Sequence, residues 1–246
     1  MALIHNSNIV RNGLVLHLDA ANRKSYIGSG TTFTDLAKNT NSTIVGNYGY
    51  NTVTYSIPVF EINNNGTSSD GQIQVVTDNL DTLALTQNFT VMFAAKKNFF
   101  GLSGNNNGNS QFFQGVTNGF NSCWRITDNN QGTPGAAFSN RHSWSFGYND
   151  INTALTVNDS GSTNRMCIVA FTVSPTTIFG FVNGVTNSRS NPLTYVSGTS
   201  TPRISFTGAG GGSWNGFLGF FSIYNRALTL NEITQNFEAL RSRYGI

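Results

Sequence analysis

Short hydrophobic segments separated by polar turns recur along most of the chain and predict β-strands. Leu14, Leu16 and Leu18 alternate with Val15, His17 and Asp19, which predicts a half-buried first strand. Residues 20–35 contain Gly28-Ser29-Gly30 and predict a long ordered loop. The clearest further strand is 88–97, and other candidates are 42–45, 51–55, 58–62, 72–76, a strand around 111–114, 143–148, 154–157 and 204–207.

The uncharged stretch 166–188 is long enough to test as a membrane span. It contains S-P-T-T at 174–177 and N-G at 183–184, and these turn signals divide it into strand-sized pieces. The stretch therefore predicts a series of hairpin strands, 166–173, 177–182 and 185–188, with no membrane span.

The C-terminal segment changes from a strand period to a helical period. Residues 217–224 are dense in aromatic and aliphatic side chains, which predicts a buried strand. Thr229 and Glu232 have the spacing of a capping box. One helical face then follows, formed by Leu230, Ile233, Phe237, Leu240 and Tyr244. The segment predicts a closing strand and a helix that covers a β domain.

About twelve to fourteen short strands, one terminal helix and no fixed repeat predict two packed sheets. The expected fold is all-β, a two-sheet sandwich or jelly roll with one C-terminal α-helix. Residues 13–246 form this single domain, and the polar residues 1–12 are a candidate N-terminal arm.

Composition narrows the classes of function. Charged residues make up 10% of the chain, against about 25% in an average domain, while 26 glycines suit long turns between strands. The net charge is +3, but basic residues cluster no further than the pairs Arg23-Lys24 and Lys96-Lys97. Nucleic-acid binding needs a basic surface, so no nucleic-acid partner is expected.

The two cysteines and the N-terminus bear on the cellular compartment. Cys123 and Cys167 lie in apolar, strand-like surroundings, which favours buried thiols over a bridge. The residues after Met1 lack the basic and apolar regions of a signal peptide.

Both ends of the chain resemble a known family. The opening G-L-V-L-H-L-D-A-A-N-R-K-S-Y at 13–26, followed by G-T-T-F-T-D-L at 30–36, is similar to concanavalin A-like, laminin-G-type jelly-roll domains of tailed-phage virion proteins. The closing I-Y-N-R-A-L at 223–228, E-I at 232–233, N-F at 236–237 and R-S-R-Y-G-I at 241–246 resembles the C-termini of the same proteins. Between them, F-G-F-V-N-G at 179–184 resembles the family's hairpin.

This resemblance implies a concanavalin A-like jelly roll and a place in a phage particle. Phe33 stands where many relatives have Trp, and residues 60–66 match the family's Phe-x-Phe-Asp-Gly only loosely, which weakens the transfer of a calcium or glycan site. Assembly in the host cytoplasm into a virion would agree with the missing signal peptide.

Catalytic residues are sparse in the sequence. The same superfamily includes glucanases with a Glu-x-Asp-x-x-Glu strand, but the glutamates here are Glu61, Glu232 and Glu238, and none lies two residues from an Asp. His5, His17 and His142 have no nucleophile elbow near them and are predicted to be surface or sheet residues. We expect no enzymatic activity.

Metal and glycan sites have a few candidate residues. Asp19, Asp35 and Asp70 are weak candidates for calcium ligands; the alternative for Asp19 and Asp35 is that they accept hydrogen bonds from loop amides. No other cofactor is expected. Trp144 with Tyr148, and Trp214 with Asn215, could present aromatic and amide groups to a sugar, and the alternative is that the tryptophans lie in the core or an interface.

Two functions follow as expectations. The first is a non-enzymatic virion protein exposed on the particle surface, as a capsid decoration, a fibre or a tail-associated protein. Its partners would be other virion proteins, with host-cell polysaccharide and a second copy of the chain as further candidates. The alternative is a lectin-type module that recognises a glycan receptor.

Overall fold

The computed structural model describes residues 8–55, 57–62, 72–74, 88–97, 109–114, 124–129, 142–148, 152–159, 165–190, 203–204, 212–213 and 216–246. In chain order the strands are β1 Leu14–Asp19, β2 Thr32–Thr34, β3 Asn41–Val45, β4 Tyr48–Asn51, β5 Val59–Ile62, β6 Gln72–Gln74, β7 Phe89–Lys97, β8 Asn109–Gln114, β9 Trp124–Asn129, β10 His142–Tyr148, β11 Asn152–Asp159, β12 Cys167–Val173, β13 Thr177–Val182, β14 Val185–Ser190, β15 Arg203–Ile204, β16 Gly212–Ser213 and β17 Gly216–Tyr224. The helix α1, Leu230–Leu240, continues into a 3₁₀ helix, Arg241–Tyr244.

The strands form two sheets. Sheet A has the order β14-β13-β12-β7-β17-β5-β4, and β1 shares with β5 the second edge of β17. Sheet B has the order β11-β10-β9-β8-β15-β6-β3-β2, with β16 beside β8. The prediction of an all-β, two-sheet jelly-roll sandwich with one C-terminal helix is therefore confirmed.

The inner core lies between the two sheets. Along β7, Phe89, Val91, Phe93 and Ala95 belong to this core because alternate residues of a strand share a face. Sheet B contributes the opposite wall, formed by Phe33, Ile44, Ile73, Phe112, Ile126, Trp144, Phe146, Leu155, Val157 and Ile204.

A second apolar cluster covers the outer face of sheet A. Met92 and Ala94, the intervening residues of β7, pack there with Ile233 and Leu240 of α1. Because the helix covers this face, β12 and β17 are buried along their whole length. The prediction that β1 is half-buried was wrong for the same reason: every residue from Val15 to Asp19 is buried.

The capping box of α1 is confirmed. The Thr229 hydroxyl accepts from Glu232 N at 3.3 Å, and the Glu232 carboxylate accepts from Thr229 N at 2.9 Å. The predicted helical face is correct for Ile233 and Leu240 but wrong for Leu230, which is 49% exposed in the first turn. Asn236 is buried in that face instead, because its amide bonds Val10 N and Tyr224.

Strand β4 begins and ends earlier than the sequence pattern indicates. The predicted strand 51–55 was wrong, because the Asn51 side chain accepts from Val53 N at 3.0 Å and Thr54 N at 2.9 Å and so turns the chain. Tyr48 and Tyr50 pack against the inner core. Gly49 and Asn51 therefore lie on the outer side of the sheet, beside Glu61 of β5.

The uncharged stretch 166–188 forms the hairpin strands β12, β13 and most of β14, as predicted. Within the described part of the chain, no helix is long and apolar enough to span a membrane. The short strand β2 lies inside the segment 20–35 that was predicted to be loop throughout.

Candidate functional site

Asp19 joins the start of the domain to its end. Arg243 Nη2 donates to both oxygens of the Asp19 carboxylate, at 2.8 and 3.0 Å, and Ala21 N donates to Oδ1 at 3.0 Å. Asp19 is 4% exposed. Its carboxylate is therefore neutralised by an arginine inside the fold.

Asp35 holds the turn before β3. Its Oδ1 accepts from His17 N at 2.7 Å and Ala37 N at 2.8 Å, and its Oδ2 accepts from Lys38 N at 3.1 Å. This is the hydrogen bonding to loop amides that the sequence left open as the alternative to calcium binding. Among the described residues, no cluster of three His, Cys, Asp or Glu side chains could hold a metal ion; Asp70 lies outside them.

Trp144 is a core residue of strand β10. It is fully buried and packs edge-to-face against Phe93, with ring centroids 5.0 Å apart, and against Phe112, at 5.3 Å. A sugar cannot reach a ring that is enclosed between the sheets. Trp144 is therefore removed from the candidate glycan-binding residues, in agreement with the alternative that placed it in the core.

The other predicted glycan residues remain predictions. Tyr148 ends strand β10 and pairs with Trp124 and Asn152, but its side chain is outside the described part of the structure. Trp214 and Asn215 also lie outside the described residues. Cys167 is buried in β12, and Cys123 falls outside the described residues, so the prediction about their pairing stays open.

His17 and Ser222 form a buried pair on the outer side of sheet A. The two side chains meet at 2.8 Å between Nδ1 and Oγ, and both are more than nine-tenths buried. Burial lowers the pKa of His17. The pair has the chemistry of a base and a hydroxyl, but the hydroxyl is enclosed and inaccessible to a substrate.

A row of side chains crosses sheet A on its outer face, near the end where β17 begins. Lys96 of β7, Phe217 of β17 and Glu61 of β5 are in register with one another across three adjacent strands. Adjacent strands are about 4.8 Å apart, so Lys96 and Glu61 flank Phe217 on its two sides. We call Lys96, Phe217, Glu61 and the overlying Tyr55 the outer-face row.

Tyr55 packs on this row from the loop after β4. Its ring meets the Phe217 ring edge-to-face at 5.4 Å, and the Lys96 ammonium lies 6.0 Å from the Tyr55 centroid and 5.6 Å from the Phe217 centroid. Burial, with a smaller contribution from the Glu61 carboxylate, raises the pKa of Tyr55 to about 12. The phenol is therefore protonated at neutral pH.

The end of the row formed by Glu61 is polar. Asn51 Nδ2 lies 2.9 Å from Thr54 Oγ1 and 3.5 Å from Glu61 Oε2. Glu61, Asn51, Tyr55 and Lys96 are all half-buried, whereas Phe217 is 7% exposed. Desolvation lowers the pKa of Lys96. The row and the adjacent Asn51 thus place an ammonium, an aromatic pair, a carboxylate and an amide next to one another at the surface.

Sequence reasoning did not identify this row as a candidate site. The strands 88–97, 58–62 and 217–224 were predicted separately and contain Lys96, Glu61 and Phe217. Their juxtaposition depends on the order of strands from distant parts of the chain, for which the sequence carries no signal.

Comparison with solved structures finds the same β-sandwich architecture. The binding domain of botulinum neurotoxin DC in complex with SialylT has a TM-score of 0.64 at 16% identity, covering 95% of this chain and 52% of that chain. The same domain in complex with rat synaptotagmin II has a TM-score of 0.63 at 15% identity, covering 96% and 53%. The chain thus spans about half the length of these binding domains.

A smaller neighbour matches over nearly its full length. Domain 4 of AbnA, a GH43 extracellular arabinanase from Geobacillus stearothermophilus, in complex with arabinotriose, has a TM-score of 0.57 at 16% identity. The match covers 91% of this chain and 97% of that domain. No protein-family model and no curated protein sequence matches the chain. At these identities the likeness establishes the fold.

Proposed function

We propose that this chain is a non-catalytic recognition domain that binds a glycan-bearing surface. The observation that carries the proposal is the outer-face row, which together with Asn51 brings half-buried aromatic, amide and charged side chains to one part of sheet A. Support comes from the neighbours: solved structures with this architecture were obtained in complex with arabinotriose and with rat synaptotagmin II. Because a fold hosts many functions, the proposal depends on the chemistry of the surface.

The arrangement of carboxylates favours binding over hydrolysis. Glycoside hydrolysis needs two carboxyl groups that flank one bond. Glu232 and Glu238 pair with arginines, as Asp19 does, and Asp35 is enclosed in its turn. Glu61 therefore has no second carboxylate beside it among the described residues.

The test is a glycan array probed with the soluble chain. We expect binding to a restricted set of glycans, inhibited by the same glycan free in solution. The heat-unfolded chain serves as the control for non-specific adsorption. Uniform absence of binding would overturn glycan recognition, and release of oligosaccharides from a bound glycan would overturn the non-catalytic assignment.

We further propose that the domain acts on the surface of a tailed-phage particle, as a capsid-associated or tail-associated protein assembled in the host cytoplasm. The two terminal motifs that resemble such proteins contact each other: β1 pairs with β17, and Asp19 pairs with Arg243. This contact shows that the two motifs form one structural unit in this chain, which supports considering them together in the resemblance. Other virion proteins would be the partners. Residues 8–12 of the predicted N-terminal arm pack on the domain itself, with Val10 buried and its N bonded to Asn236 Oδ1, so residues 1–7 remain the candidate docking arm.

Mass spectrometry of purified particles tests the location. We expect peptides of this chain in intact, density-purified virions and their persistence after washing with high salt. Peptides found only in the lysate supernatant would overturn the virion proposal and leave glycan recognition untouched.

A further inference from the structure

The outer-face row is open on the side of Glu61. The neighbour of Glu61 on β4 is Gly49. A Cβ at position 49 would lie 3.6 Å from Glu61 Cβ and 3.8 Å from Glu61 Oε2. Any side chain larger than alanine at position 49 would extend beside the carboxylate. The glycine therefore leaves space next to a half-buried carboxylate at the sheet edge.

The groups around this space match the needs of a sugar ring. Sugar hydroxyls donate hydrogen bonds, and the row supplies an accepting carboxylate at Glu61, whose Oε2 lies 3.5 Å from Asn51 Nδ2. The half-exposed ring of Tyr55 supplies apolar surface for the C–H face of the sugar. A hydrogen bond to a charged group is stronger than one between neutral groups.

The charges of the row favour a neutral ligand. The Glu61 carboxylate is the charged group of the row that lies beside the space left by Gly49. A carboxylated or phosphorylated sugar placed against Asn51 would face the Glu61 carboxylate, and like charges repel. A neutral saccharide avoids this repulsion.

We propose that the outer-face row, with Asn51 and Gly49, is the binding site for a neutral saccharide. The Tyr55 ring packs against one sugar unit, and Glu61, positioned by Asn51, accepts hydrogen bonds from the sugar hydroxyls. This inference rests on the proposed glycan recognition and assigns it a place and a ligand class.

The hydroxyl of Tyr55 offers an internal control. It is buried and has no hydrogen-bond partner among the described residues. Tyr55→Phe keeps the ring and removes a buried hydroxyl that makes no hydrogen bond to the described residues, so the variant should fold and bind as the parent chain does. Tyr55→Ala removes the ring itself.

Isothermal titration with the best-binding neutral oligosaccharide from the array, and with an acidic one, tests the site. We expect Tyr55→Ala and Glu61→Gln each to raise Kd for the neutral sugar about tenfold, and Gly49→Val to abolish binding. Tyr55→Phe and the remote carboxylate variant Glu238→Gln should keep Kd within about twofold. Circular dichroism melts of all variants verify that each is folded.

The outcomes separate this inference from the proposed function. If the parent chain binds no glycan on the array, both fail. If the parent binds and Tyr55→Ala, Glu61→Gln and Gly49→Val bind equally well, the glycan site lies elsewhere and this inference alone is overturned. Tighter binding of the acidic sugar, lost in Lys96→Gln, would overturn the neutral ligand class.

Discussion

Gly219 allows the Tyr244 ring to lie directly on strand β17. A Cβ at position 219 would fall 2.7 Å from Tyr244 Cζ, inside the van der Waals distance of the ring. The register of β17 against β7 also shifts here, between Leu218 and Phe220, which is the signature of a bulge. The glycine therefore serves both the bulge and the packing of the last aromatic residue.

We predict that Gly219→Ala destabilises the domain by about 1–3 kcal/mol, because the added methyl overpacks a filled site. Urea unfolding followed by tryptophan fluorescence measures the change. Tyr244→Ala removes the clashing ring, so the double variant should lose less stability than the sum of the two single variants. Additive losses would show that the two positions do not contact each other.

His17 is a buried titratable group on the outer side of sheet A, where its Nδ1 lies 2.8 Å from Ser222 Oγ. It faces Asp19 and Asp35, which raise its pKa, and Arg243 and Arg11, which lower it, but burial has the largest effect and lowers the pKa below 6.5. The unfolded chain therefore binds a proton at a higher pH than the folded chain does. The contribution of neutral His17 to stability is complete above about pH 6.5 and decreases as the pH falls below it.

We predict that the melting temperature of the parent chain falls between pH 7 and pH 5 more steeply than that of His17→Asn. Asparagine can still bond Ser222 and does not titrate in this range. Differential scanning fluorimetry across the range measures both slopes. His142→Asn serves as the matched histidine control. Parallel curves for the parent chain and His17→Asn would rule out His17 as the source of acid sensitivity.

At the scale of elements, α1 was predictable because its signals are local. Thr229 and Glu232 are three residues apart, and the capping box needs only those two residues and the adjacent backbone. The structure adds a partner from outside the helix: Arg226 binds Glu232 with two hydrogen bonds, and its Nε donates to Asn12 O at 3.0 Å. Glu232 thus links the helix, the bend before it and the start of the domain.

We predict that Glu232→Gln lowers the melting temperature at pH 7 by a few degrees, since a helix cap contributes about 1 kcal/mol. Arg226 and the Thr229 groups lower the pKa of Glu232 to about 2. The stabilisation is therefore complete above about pH 4.5 and is lost as the pH falls toward 2. The difference between parent and variant should shrink over that range. Glu238→Gln, at an exposed ion pair, is the control and should change little.

Strand boundaries were less predictable than the helix. The segment 88–97 was identified correctly because its hydrophobic pattern is continuous. The segment 51–55 contains Thr52 and Val53, which favour strands, yet Asn51 turns the chain there by bonding two backbone amides. In such cases a side chain competes with strand pairing for the backbone amides, and the β-propensity of the residues does not reveal this competition.

At the scale of the whole molecule, sheet A has an apolar cluster on each face. The inner cluster fills the sandwich, and the outer cluster joins Met92, Ile168 and Phe220 to the buried face of α1. Residues 8–12 close the outer cluster, with Val10 N bonded to Asn236 Oδ1 at 2.7 Å. The helix is therefore a third layer of the domain.

We predict that deletion of Leu230–Ile246 leaves an insoluble chain, because it exposes the apolar outer face of sheet A. Deletion of Gly245–Ile246 alone is the control and should remain soluble, since it keeps Ile233, Leu240 and Tyr244. Solubility after expression and size-exclusion chromatography measure the result. A soluble, cooperatively folded Leu230–Ile246 deletion would show that the segment is a docking tail.

The sequence by itself determined the all-β class, the two-sheet architecture and the capped terminal helix, because strand and helix periods and the capping box act between residues close in the chain. Only the tertiary structure decided that both faces of strands β12 and β17 are buried, that Trp144 is a core residue and that Asp19 pairs with Arg243. The outer-face row belongs to this second group. Its members come from β5, β7, β17 and the loop after β4, and strand order, set by packing between distant segments, brings them together.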